Sequence, residues 1–114
     1  MNLCVIVHCP LTRASLHLGA MDFVRTAAQQ GHTITAVFFH GDAVGASLAT
    51  PSEEASVHRA WCDLLQQVQV EGTCCIAAAQ ARGLDAQMRA PFVTAGLGQL
   101  VVGSARAERV ITFA

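Results

Sequence analysis

The run LCVIV, Leu3 to Val7, constrains the fold more than any other stretch. It is continuously apolar, mostly branched at Cβ, and stopped by Pro10 a few residues later. An uninterrupted run of this kind marks a strand buried on both faces, as in a parallel sheet, rather than a half-exposed strand that alternates apolar and polar residues. A parallel neighbour needs a crossover, usually a helix. The chain supplies one from about Ala14 to Gln30, where Leu16, Ala20, Phe23, Val24, Ala27 and Ala28 recur at helical spacing before Gly31. Thr33 to Phe39 (TITAVFF) is the next strand.

His40 to Ala49 reads as a small-residue loop with one helical turn. Thr50-Pro51-Ser52-Glu53 then matches a capping box and opens a helix to about Gln69, with Val57, Trp61, Leu64, Leu65 and Val68 on its inner face. Thr73 to Ile76 is a short third strand, and Ala77 to Arg82 a short helix ended by Gly83. Leu84 to Val93 is loop or broken helix, Leu97 to Ala105 a helix, and Arg109 to Phe113 a closing strand. The alternation predicts one α/β domain over residues 1–114, with a mostly parallel sheet of about five strands and helices on both faces.

Composition narrows the function. Only 13% of the 114 residues are charged, against 53% hydrophobic, where ordinary domains carry about 25% charge. No stretch approaches the roughly 18 apolar residues of a membrane span, so the apolar excess is expected between subunits. The net charge is −1 and the seven basic residues are scattered arginines, which gives no patch for nucleic acid. MNLCVIVHCP has no basic front end and reads as a strand rather than a signal peptide, so a cytosolic protein with reduced thiols is expected. Five cysteines without a CxxC pair fit neither a disulfide scaffold nor a structural zinc site. There is no phosphate-binding glycine motif, and the spacing of Cys9, His40 and Cys75 supports no metal site, so no cofactor is expected.

Ligands of open parallel sheets bind outside the carboxyl ends of the strands. His8 and Cys9, then His40, then Cys74 and Cys75 fall at three such ends. Cys75 stands at the first turn of the following helix, where unpaired N–H groups and the helix dipole favour a negative charge such as a thiolate. Ala77 to Ala79 leave room beside the sulfur. Cys75 is therefore the candidate nucleophile. Adjacent Cα atoms are about 3.8 Å apart, too close for an unstrained bridge to Cys74. In extended backbone the two thiols point to opposite sides, one to the crevice and one to the packing. Cys4 and Cys62 read as core or boundary residues. His40 and Asp42 are auxiliary candidates because their charges would tune a nearby thiol, and Cys9 and Cys74 are auxiliary thiols. His8, His17, His32 and His58 show no partner pattern.

AVFFHGDAV (Ala36 to Val44), CCIAAAQARG (Cys74 to Gly83), and VTAGLGQL followed by ERVITF resemble segments of the DsrE/TusD-like sulfur-relay proteins, in the same order along nearly the whole chain. The resemblance implies a small α/β sulfurtransferase. Its motif cysteine, which falls on Cys75, would take sulfane sulfur as a persulfide from a donor protein and pass it to an acceptor. It also implies assembly with paralogous subunits in a heterohexamer or with copies of itself. The end product would be 2-thiouridine at the tRNA wobble position or, alternatively, oxidised sulfur in a Dsr-type pathway. His40 replaces a frequent tyrosine, Cys74 replaces an aliphatic residue, and the segment from Gly83 to Gly96 is short for the family. Two rival readings remain open at this level: a non-catalytic scaffold subunit, and a small-ligand module using the same sheet edge.

Overall fold

The computed structural model describes residues 1–48 and 55–114. The capping box at residues 50–53 lies outside the described residues. Five strands form one all-parallel sheet in the order β4-β3-β2-β1-β5. They are β1 (Asn2–Val7), β2 (Thr33–Phe39), β3 (Gly72–Cys75), β4 (Phe92–Ala95) and β5 (Arg109–Phe113). The helices are α1 (Ala14–Gln29), α2 (Ala55–Val68), α3 (Ile76–Ala81) and α4 (Leu97–Arg106). A 3₁₀ segment, Gly41–Ser47, follows β2. It is longer than the single turn expected there.

The apolar run of β1 is explained by its place, between β2 and β5 with Cys4, Val5 and Val7 fully buried. Alternate residues of β2 go to opposite faces. Val37 and Phe39 join the main core with Val24 of α1 and Trp61, Leu64 and Leu65 of α2. Ala36, on the other side, meets Gly103 of α4. So α1 and α2 cover one face and α4 lies on the other, as crossovers of one hand require when the chain steps from β1 to β4 and then returns to β5.

Three expectations change. First, β4 is a strand that the periodicity did not reveal: it has four residues, sits at the sheet edge, and buries only Phe92 fully. Second, the inner face of α1 also includes His17 and Met21, both buried, while Leu16 and Phe23 are only partly so. Third, β3 and α3 each begin one residue earlier than predicted, which makes Cys75 the boundary residue.

Packing is unequal across the sheet. Gly72 is pinned on the helix-rich face: a Cβ there would lie 2.8 Å from both Leu65 Cδ1 and Phe92 Cδ1. By contrast α4 buries none of its residues, and Leu97, Val101 and Val102 are exposed, with Val110 of β5 exposed as well. An open groove of about 620 Å³ lies beside α4 over β2, β3 and β4, lined in part by Thr73, Thr94, Gln99 and Arg106. Among the described residues, no helix is long and apolar enough to cross a membrane.

Candidate functional site

Parallel register sets the strand ends level. Val7 pairs with Phe39, and Phe39 with Cys74. Their successors therefore collect at one edge, as the alternation of elements predicted. There the rings of His8 and His40 stack, with centroids 5.2 Å apart and planes 23° apart. Gly41, at φ +59°, lets the backbone turn under this pair: a Cβ would stand 2.9 Å from His8 Nε2. The His8 and Cys9 N–H groups both donate to the Phe113 carbonyl, at 2.8 and 3.3 Å, which ties this edge to β5.

The two neighbouring thiols differ in environment. Cys74 is the last β3 residue to pair with β2 and has no exposed surface. Burial, then the adjacent Cys75, push its thiol up to about 12, against a hydrogen bond with the Ser47 side chain. Cys74 is thus a neutral thiol and a packing residue. Cys75 is the N-cap of α3, and its side chain makes no capping hydrogen bond. Cys75 is also buried, with 4% of its surface exposed. Both thiols are thus buried, and of the two only Cys74 belongs to the main hydrophobic core. Beyond the sulfur the helix surface is open: Ile76 and Ala77 are exposed.

The auxiliary candidates are placed as follows. Asp42 accepts from Arg82 at 2.6 Å and so joins the 3₁₀ segment to the end of α3 through an exposed ion pair. His40 is taken up by the stack with His8. Cys9 is buried, and burial pushes its thiol up. Its carbonyl accepts a 2.9 Å hydrogen bond from Nε2 of fully buried His17, whose Nδ1 accepts from Trp61 Nε1–H at 3.1 Å. The imidazole is thus fixed as one neutral tautomer, in keeping with the downward pull of burial on its pKa. Among the described residues, no group of three or more His, Cys, Asp or Glu side chains comes together to hold a metal.

The sequence reading missed two contacts that bear on the site. Ser47 lies beside Cys74, and Arg82 reaches Asp42 across forty positions. Spacing carries no signal for either, since both depend on how the 3₁₀ segment folds back.

A five-stranded parallel α/β sheet of the doubly wound kind, with Cys75 at the boundary between β3 and α3, is the class of fold that these elements define. The DsrE/DsrF-like family pattern matches residues 1–113, and the chain belongs to that family. Among its relatives, an Allochromatium vinosum protein named for DsrE-type sulfur transfer is 35% identical over 82% of this chain and 84% of its own. A sulfurtransferase TusD homolog of Vibrio parahaemolyticus is 33% identical over 82% of this chain and 83% of its own. The crystal structure of the E. coli YchN protein superposes with a TM-score of 0.84, covering 99% of both chains at 17% identity, and shares the fold.

Proposed function

We propose that this chain is a sulfurtransferase subunit in which Cys75 carries sulfur as a persulfide. The observation that carries the proposal is the position of Cys75, at the end of β3 and the start of α3, on the edge where strand ends converge. Cys75 thiolate attacks the outer sulfur of a donor persulfide R–S–SH. A new S–S bond forms, the old one breaks, and R–S⁻ leaves with the electron pair. An acceptor thiolate then attacks the terminal sulfur of Cys75–S–SH and releases Cys75 thiolate. With 4% of Cys75 exposed, the structure around the sulfur has to open when a partner docks. No cofactor enters these steps.

Residues 1–114 act as one unit in this reading. Its partners are a donor protein, an acceptor protein, and paralogous or identical subunits that cover the apolar residues of α4 and β5. The relay runs in the cytosol and feeds 2-thiolation of the tRNA wobble uridine, in line with the TusD-named relative. The DsrE-named relative supports the alternative, a sulfur-oxidation relay.

Incubation with a persulfide donor, followed by digestion and mass analysis, tests the chemistry. The expected result is one added sulfur on the peptide carrying Cys75, absent in Cys75→Ser. The near-complete burial of Cys75 favours a second reading, a scaffold subunit. No added sulfur on that peptide, with assembly unchanged, would establish the scaffold and overturn the carrier. Loss of 2-thiouridine from tRNA on deletion separates the thiolation relay from the oxidation relay.

A further inference from the structure

His58 and Cys62 lie four residues apart on α2, hence on one face of the helix. Cys62 Sγ is 3.5 Å from His58 Nε2. The other ring nitrogen, Nδ1, is 2.7 Å from the Ala46 carbonyl. A carbonyl only accepts, so Nδ1 carries the proton and Nε2 presents its lone pair. The thiol of Cys62 is therefore the donor. The ring also stacks on Phe92, with centroids 5.8 Å apart and planes 21° apart, which fixes its orientation. A nucleophile, a base within reach, and a group that orients the base are the three parts of an activated thiol. Unlike Cys75, Cys62 is only half-buried.

We propose that Cys62 and His58 form a second reactive centre, separate from Cys75, that exchanges with small disulfides of neutral or positive charge. Two features select this chemistry. Cys62 sits in the middle of α2, where backbone N–H groups are committed to helix carbonyls, so no backbone oxyanion hole forms for acyl transfer. Exchange at divalent sulfur needs none, since the charge leaves on sulfur. Burial, then the negative charge of Asp63, pushes the Cys62 thiol up, and the same charge disfavours anionic reagents. The protonated thiol is the state that donates to His58.

In the reaction the Cys62 S–H proton passes to His58 Nε2 as Cys62 Sγ attacks one sulfur of R–S–S–R. The Cys62–S–S–R bond forms, the original S–S bond breaks, and the departing R–S⁻ takes the proton from His58. One disulfide is exchanged for another, with no net oxidant.

Cystamine, a small cationic disulfide, is the probe. The full chain is treated with cystamine or with anionic glutathione disulfide, and mixed disulfides are mapped by peptide mass. Cys62 is expected to be modified first, and faster by cystamine. His58→Gln is expected to slow labelling of Cys62 roughly a hundredfold, the lower end of the range for a lost general base, with thermal unfolding confirming the fold. Asp63→Asn is expected to narrow the gap between the reagents. First labelling of another cysteine in the wild-type chain, or equal rates in wild type and folded His58→Gln, would overturn the proposal. Either result leaves the sulfur-gain test at Cys75 unaffected.

Discussion

His17→Leu removes both hydrogen bonds of a fully buried imidazole. It strands the Trp61 indole N–H, bonded at 3.1 Å, and removes the 2.9 Å donor to the Cys9 carbonyl. Each buried group left without its partner costs about 1–3 kcal/mol, so the variant should lose roughly 2–6 kcal/mol. That is a large share of the roughly 5–15 kcal/mol that holds a domain together. With a urea slope of about 1–3 kcal/mol/M, the midpoint should fall by about 1–3 M. Trp61 is the one tryptophan and reports unfolding by fluorescence. The penalty should also depend on pH. Burial lowers the His17 pKa from 6.5, against hydrogen bonds to the Cys9 and Pro10 backbone. Below pH 6.5 the unfolded chain takes up a proton at His17 that the folded one refuses. Wild-type stability therefore drops as pH falls through that window toward the lowered value, and the leucine variant lacks this component. The gap between the two proteins should be widest at pH 7.5 and narrower at pH 5. A penalty under about 1 kcal/mol at pH 7.5, or a gap that does not shrink at pH 5, refutes the hydrogen-bond reading of His17.

Gly72→Ala forces a methyl group against Leu65 and Phe92, two buried side chains, and should cost about 1–3 kcal/mol by overpacking, read as a lower urea midpoint. Arg82→Ala should cost less than about 1 kcal/mol, as an exposed ion pair does. Since the pair joins the 3₁₀ segment to α3, which begins at Cys75, its loss should nonetheless raise iodoacetamide labelling of Cys75; unchanged labelling would show that this pair does not restrict access to the sulfur. Val101→Asp, on exposed α4, should change stability by less than about 0.5 kcal/mol but, with α4 between subunits as proposed, lower the mass in analytical ultracentrifugation; an unchanged mass would clear α4 of any role between subunits.

Local pattern carried the central elements. The apolar runs of β1 and β2 and the helical periods of α1 and α2 are dictated by burial against neighbours, and burial writes itself into residue type, while β5 was legible from its apolar, β-branched residues although none of them is buried. β4 escaped because an edge strand of four residues with one fully buried side chain leaves no period to read. The thiols at the sheet edge were legible, because strand ends follow from strand positions. The depth of Cys75 was not, because burial at a strand end depends on tertiary packing that spacing does not carry. His58 and Cys62 did stand at helical spacing in plain view. What gives that pair meaning is the Ala46 carbonyl, twelve positions from His58, which no spacing rule reaches.

β1 lies between β2 and β5, and residues 109–113 complete its second side. A nascent chain that has made β1 to β4 still has one flank of its first strand bare, and the His8 and Cys9 amides wait for the Phe113 carbonyl. Pairing across some hundred positions is slow to form. During synthesis the exposed flank is a sticky ribbon, open to another chain's strand. Expression yield should therefore respond more sharply to substitutions at Ile111, the half-buried centre of β5, than its modest burial suggests.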